Sequence, residues 1–299
     1  MARGVLILGG PTASGKTALA LELAERFDAE IVGADSRQIY RGMPIGTAAP
    51  SPEERARVPH HLVEFLDPSE RYSAARFNED ALSAMAAIER RGRRVLVVGG
   101  TGFYLRALCG DVALSPAYDP ELRARLAREA RFHPSETLHA WLAARDPARA
   151  AAIAPTDPYR IVRALEIALS RERASDGASE PRRSLRSLGI PVLKVAIDTD
   201  DATLEARIAA RVDGMLAAGL VAEAERIGNE AVAADAVGYP QALAYSGGLL
   251  TFDELRTLLI RATRRYAKRQ RTWFRGEPEM RRVAHDDVAG LAASLRGWA

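Results

Sequence analysis

The sequence predicts a doubly wound α/β fold with a parallel sheet, broken by a block of helices. Short apolar runs rich in β-branched residues, bounded by Gly, Pro or Asp, alternate with amphipathic stretches, the pattern of β-α-β units with right-handed crossovers. A glycine-rich loop follows the first of these runs, and one internal segment reads as helix alone.

The runs Val5–Leu8, Glu30–Gly33, Val95–Val98 and Val192–Ile197 are expected as buried parallel strands. Helical periodicity places helices over Thr17–Arg26, Ala74–Arg91 and Thr203–Leu216 between them. Residues 118–156 hold three helical patterns, Glu121–Ala130, Ser135–Ala144 and Pro147–Ile153, broken by Pro134 and Pro147. They are expected to form a helical insertion domain within a core made of residues 1–117 and 157–299. Phe252–Arg275 reads as one long helix, and Ala174–Arg186, rich in Ser, Gly and charge, as a mobile loop.

A chain of 299 residues, 47% hydrophobic and 27% charged, can bury a sizeable core and has no tract biased toward disorder. No apolar run is long enough to span a bilayer and the start lacks a signal-peptide pattern, so no membrane partner is expected. The single cysteine, Cys109, excludes an internal disulfide, and no Cys/His cluster has zinc spacing, which points to a reducing cytoplasm. Net charge is only +3, but of 42 cations just three are lysines, Lys16, Lys194 and Lys268. A lysine inside a motif is therefore informative.

Lys16 lies in Gly10-Pro11-Thr12-Ala13-Ser14-Gly15-Lys16-Thr17, which matches the phosphate-binding G-x-x-x-x-G-K-[ST] and has the required strand before and helix after. Glycines let the backbone wrap a phosphate, N–H groups at the helix start point at it, Lys16 adds a cation, and the Thr17 hydroxyl can ligate Mg²⁺. The fold is thus expected to be P-loop NTPase-like. A phosphoryl-transfer enzyme generally wants an acid at a strand end to hold the metal, yet the run 94–98 ends in Gly99-Gly100-Thr101-Gly102. The acid in a suitable place is Asp35, after the second strand, expected to open onto the same crevice. From position alone it could equally cap a turn.

Six segments in order carry a resemblance: GPTASGKT (10–17), ADSRQIYRGMPIGTA (34–48), PHHLVEFLDP (59–68), GGTGFYLRAL (99–108), RIVRALEI (160–167) and KRQRTWFR (268–275). Together they resemble the bacterial tRNA dimethylallyltransferase family over almost the whole chain. The resemblance implies transfer of a dimethylallyl group from dimethylallyl diphosphate to the exocyclic N6 amine of the adenine 3′ to the anticodon, with release of diphosphate. It makes the loop 10–17 the diphosphate site, Asp35 the general base, and Lys16, Thr17 and Arg211 the groups that stabilise the leaving group, with Mg²⁺ as cofactor. Thr101 resembles a position touching the target nucleotide. Asp35, Ser36, Arg37 and Gln38 resemble tRNA-contacting positions, as do Arg123, Tyr159, Arg160, Ile161, Val162 and Arg163, and Val237, Gly238 and Tyr239.

Independently, residues 261–275 hold seven cations and no acid, and at helical spacing they face away from Leu255, Leu258, Leu259, Ala262 and Tyr266. Such a stripe suits a phosphate backbone. Lys268, Arg269, Gln270, Arg271, Thr272 and Arg275 are expected on RNA, with Trp273 and Phe274 stacking on unpaired bases.

The chain departs from the family pattern in Asp235-Ala236-Val237-Gly238-Tyr239-Pro240, where Arg-x-Val-Gly-Tyr-Arg is usual, and in Tyr159, where Gln is usual. His60 and His61 read as structural and Cys109 as core. Three rivals use the same loop: a small-molecule kinase using ATP, an enzyme prenylating free adenine nucleotides, and an RNA-binding ATPase. A monomer is expected.

Overall fold

A computed structural model of the chain describes residues 3–112, 119–173, 183–284, 287–294 and 298. They fall into two compact units, Met1–Val112 with Arg183–Ala299, and Ala113–Arg182.

The first unit is built on a parallel sheet of β1 (Val5–Gly9), β2 (Ala29–Gly33), β3 (His60–His61), β4 (Arg94–Val98), β5 (Val192–Ile197) and β6 (Arg281–Val283), in the order β3-β2-β4-β1-β5-β6. The four expected strands are its interior. The edges β3 and β6 escape sequence reasoning because they are two and three residues long and read His-His and Arg-Arg-Val.

Helices Lys16–Arg26, Ala74–Arg90 and Asp201–Ala217 lie within a few residues of expectation, and Phe252–Arg275 matches it. Local chemistry sets their starts: Ser73 and Asp200 accept N–H bonds from Arg76 and Thr203, and Thr251 with Glu254 forms a capping box. One face of the sheet, with Leu6, Leu8, Leu96 and Val195, packs on Leu19, Leu23 and Phe27. Trp298 closes this core, its indole N–H donating to the Gly4 carbonyl at 2.9 Å. A second core joins Ile39, Met43 and Leu66 to Tyr239, Leu255 and Leu259. Burying each such side chain contributes about 1.5–3 kcal/mol.

The second unit contains helices Pro120–Phe132, Ser135–Arg145, Pro147–Ala151 and Pro158–Arg173, packed around Leu122, Leu126, Leu138, Leu142, Ile161 and Leu165. It is wider than the expected 118–156 because Pro158–Arg173, placed with the core by the sequence, buries Ile161, Ala164 and Leu165 at helical spacing among the inserted helices. Of the expected mobile loop, residues 174–182 lie outside the described residues. The rest is held: Leu185 is fully buried and its N–H donates to the Leu108 carbonyl at 2.9 Å.

Lys194 is buried, paired with Asp111 and 3.5 Å from Glu277, which also binds Arg106 at 2.6 Å. His60 donates through Nδ1 to the Val58 carbonyl at 2.7 Å and His61 meets Glu30 at 2.6 Å, so both serve the sheet edge. Burial pushes the Cys109 thiol up to about 12, which keeps it unreactive.

Candidate functional site

Three neighbouring strands, β2, β4 and β1, end side by side, and the chain leaving each one supplies part of a single cavity of about 530 Å³. Beyond β1 comes the loop 10–17. Gly15, at φ 94°, takes a left-handed conformation that L side chains rarely adopt, and the helix Lys16–Arg26 starts at once behind it. The Lys16 ammonium donates to the Pro11 carbonyl at 2.6 Å, and Arg207 donates to the Ser14 carbonyl at 3.2 Å. The Ser14 hydroxyl is buried without a partner among the described residues, an orphan that a phosphate oxygen would satisfy.

Beyond β2 comes Asp35. Its Oδ1 accepts the N–H of Arg37 at 2.9 Å and, more weakly, that of Gln38 at 3.4 Å, so it does cap a turn. That role occupies one oxygen and fixes the carboxylate, leaving Oδ2 for chemistry within the cavity it lines. Beyond β4 comes Gly99, where a Cβ would lie 2.0 Å from the Ala34 carbonyl oxygen; only glycine lets the two strand ends approach this closely. Thr101 then ties them, its Oγ1 accepting the Ser36 N–H at 3.0 Å.

The helix Asp201–Ala217 and residues 235–238 form further wall, and the helix Phe252–Arg275 adds another and locks the other parts together. Gln270 accepts the Thr12 N–H at 2.8 Å and donates to the Gly100 carbonyl at 3.0 Å, joining the loop after β1 to the turn after β4.

The electrostatics suit an anion. Five cations, Lys16, Arg37, Arg207, Arg211 and Arg269, line the cavity against two acids, Asp35 and Asp235. Burial lowers Lys16 to about 7, opposed by the charge of Asp35 and reinforced by that of Arg211. Arg211 is also lowered, again chiefly by burial. Desolvated cations this short of counter-charge gain from a bound anion.

Of the expected site residues, Thr12 to Thr17, Asp35 to Gln38, Arg211, Val237, Gly238, Arg269 and Gln270 share the cavity. Thr101 stands behind it as a brace. Several expected RNA contacts are corrected. Tyr239 is fully buried, donating to Glu223 at 2.7 Å and lying 3.3 Å from the Met43 carbonyl, so it cannot reach RNA. Phe274 packs against Gly9 and cannot stack on a base. Trp273 lies against Gly102 with Arg106 over its ring at 4.4 Å and its Nε1 buried, so it is not a free stacking platform. Ile161 is core of the second unit, and Gln270 is a buried brace. Arg271 is ion-paired with Asp201 and half-buried.

In the second unit Arg123 is half-buried, Arg160 pairs with Asp157 at 2.9 Å, Arg163 pairs with Glu166 at 2.7 Å, and Tyr159 is exposed. Pro11 and Gly10 support the loop behind the cavity, and Val162 is half-buried. On the basic helix Arg261, Arg264, Arg265, Lys268, Arg269, Thr272 and Arg275 are exposed, while Leu255, Leu259, Ala262 and Ala267 are buried.

Sequence reasoning missed Tyr266 and the segment Gly46–Ala48, which also line the cavity. It missed the bracing role of Gln270 too, although a polar residue four positions before Phe274 on the buried face was a legible signal.

The fold and cavity define the class: a P-loop α/β protein whose phosphate-loop motif, five cations and the carboxylates of Asp35 and Asp235 line one cavity. The sequence matches the IPP transferase family over residues 38–277 and the isopentenyl transferase family over residues 3–65. Among curated proteins it is 47% identical to a tRNA dimethylallyltransferase of Geobacter metallireducens, covering 92% of this chain and 91% of that one. It is 45% identical to one of Thioalkalivibrio sulfidiphilus, covering 99% and 95%. The crystal structure of the full-length tRNA isopentenylpyrophosphate transferase of Bacillus halodurans aligns with TM-score 0.70 at 33% identity, over 97% of this chain and 96% of that one. A eukaryotic dimethylallyltransferase acting on tRNA shares the fold, with TM-score 0.74 at 23% identity. The chain belongs to the IPP transferase family.

Proposed function

We propose that this protein transfers the dimethylallyl group of dimethylallyl diphosphate to the N6 amine of the adenine 3′ to the anticodon in tRNA, releasing diphosphate. The observation that carries this reading is the pairing, in one cavity, of a phosphate loop faced by the cations Lys16, Arg207 and Arg211 with the carboxylate of Asp35, whose second oxygen has no hydrogen-bond partner among the described residues.

The loop N–H groups, Lys16, Arg207 and Arg211 bind the diphosphate and stabilise the charge that grows on it as the allylic C–O bond breaks. Asp35 takes the proton from the attacking amine, a nitrogen made weakly nucleophilic by the adenine ring; a positioned base contributes about 10²–10⁴-fold. Thr101 and Gln270 hold the three strand ends in register for that geometry.

The residues fit a Mg²⁺ ion held largely by the diphosphate itself, since the Thr17 hydroxyl lines the cavity near one carboxylate and, among the described residues, no cluster of three or more acidic, His or Cys ligands exists. When bound, the ion supplies charge neutralisation to the leaving diphosphate. Thr17 would hold it.

The acceptor's phosphates would lie on the exposed stripe of the basic helix, with Tyr159, Arg160 and Arg123 of the helical unit as further contacts. A tRNA substrate implies the cytoplasm, and a monomer is the form proposed to act. Among the described residues no helix is long and apolar enough to cross a membrane. The kinase reading is not favoured: the relatives named above are prenyl transferases.

Incubation with dimethylallyl diphosphate, Mg²⁺ and unmodified tRNA, followed by nucleoside mass spectrometry, tests the reading. Prenylated adenosine 3′ to the anticodon is the expected product. Phosphorylated product formed with ATP instead, and no prenylated nucleoside, would refute it.

A further inference from the structure

The cavity's exposed acid is not free. The Asp235 carboxylate grips the Arg37 guanidinium at both ends, Oδ1 to Nη1 at 2.7 Å and Oδ2 to Nη2 at 3.1 Å. Asp235 stands on the short turn Val232–Asp235, and Arg37 on the turn that Asp35 caps, so the pair joins two cavity-lining segments. The Asp235 side chain is 70% exposed and that of Arg37 33%, which places the pair at the solvent side of a cavity whose loop side is cationic.

We propose that Asp235 is a positioning residue for acceptor recognition: by pairing with Arg37 it removes that arginine from the phosphate-binding charge of the site and orients its guanidinium as a neutralised plane at the mouth of the cavity that Asp35 also lines. This rests on the RNA-modifying function proposed above. A bidentate carboxylate uses two of the five guanidinium N–H groups and orients the rest. The neutralised fork can still stack on or hydrogen-bond to a base edge, but contributes little to the counter-ion release that drives non-specific RNA binding. The acid therefore exchanges affinity for orientation at this point of the mouth.

The test compares Asp235→Asn and Asp235→Glu with the wild type, using an anticodon stem-loop containing consecutive adenines. Binding is followed by fluorescence anisotropy over a salt series, and kcat and KM are measured for each substrate. Asp235→Asn is expected to bind the stem-loop about threefold to tenfold more tightly at low salt, with the slope of log K against log salt steeper by about 1. Its kcat should not rise, while Asp235→Glu restores the wild-type slope. An unchanged slope, or weaker binding by Asp235→Asn with no recovery in Asp235→Glu, would overturn the inference. A wild type that binds the stem-loop yet transfers no prenyl group would sink the transferase reading alone, because the binding series still decides the role of Asp235.

Discussion

In the proposed reaction Asp35 and Lys16 occupy opposite halves, and their environments say how each should respond to change. Asp35→Asn keeps the Arg37 N–H bond through its amide oxygen but has no base, so kcat is expected to fall about 10²–10⁴-fold with the KM for dimethylallyl diphosphate nearly unchanged. Steady-state kinetics on both substrates checks this. Lys16 is lowered by burial to about 7 in the unliganded protein, whereas an anion binds its charged form. Diphosphate binding should therefore take up a proton above pH 7, and affinity should fall as pH rises beyond that point, by up to tenfold per unit. Calorimetry in buffers of different ionisation enthalpy reads the uptake directly. Both residues were legible in the sequence, one from a motif with its own mechanism and one from its place after a strand. What the sequence could not show is that Asp35 caps a turn and is still available, since that depends on which oxygen takes the N–H bonds.

At the scale of elements, the basic helix has two jobs on two faces. Its exposed stripe should carry RNA phosphates: Arg265→Ala with Lys268→Ala is expected to weaken stem-loop binding at low salt and reduce the salt slope by about 2, without changing diphosphate affinity. Its buried face braces the cavity, and Gln270→Ala, which breaks both ties to Thr12 and Gly100, should cost stability of about 1–3 kcal/mol and lower kcat/KM for both substrates. Urea unfolding with parallel kinetics separates the two effects. The amphipathic pattern announced the helix and its stripe. It did not announce that Trp273 and Phe274 turn inward, because their spacing fits either face near a helix end and only the glycines at 102 and 9 make room for them. The edge strand β3 was illegible for a different reason: two residues carry no period to read, and its pairing with β2 is supported by Glu30, which Arg91 and then His61 hydrogen-bond, keeping the Glu30 carboxyl down at about 2 against the pull of burial. Its folded pKa lies below the ordinary 4.5, so this anchor's contribution is present above pH 4.5 and is lost as pH falls towards 2. Glu30→Gln should flatten the acid limb of the stability curve over that window.

At the scale of the whole molecule, the candidate site is assembled by topology: adjacent strands β2, β4 and β1 bring Asp35, the turn with Thr101 and the phosphate-loop motif to one place, at strand ends that the alternation of strands and helices predicted in outline. The limits of the helical unit were not legible, since Pro158–Arg173 has no composition shift at its start and declares its allegiance only by burying Ile161 and Leu165. Tyr159, 74% exposed on that unit, is expected to raise the KM for tRNA when changed to alanine and to leave dimethylallyl diphosphate binding alone, a split that kinetics with each substrate varied in turn would reveal. The central claim, that one cavity joins an anion site to a base acting on RNA, is tested most directly by single-turnover transfer of labelled prenyl from dimethylallyl diphosphate to an anticodon stem-loop, with Mg²⁺, by the wild type and Asp35→Asn. The account predicts rapid label transfer by the wild type and a rate slower by about 10²-fold or more in Asp35→Asn at unchanged occupancy of both substrates. Equal rates in the two proteins, or no label in the RNA from either, would contradict it.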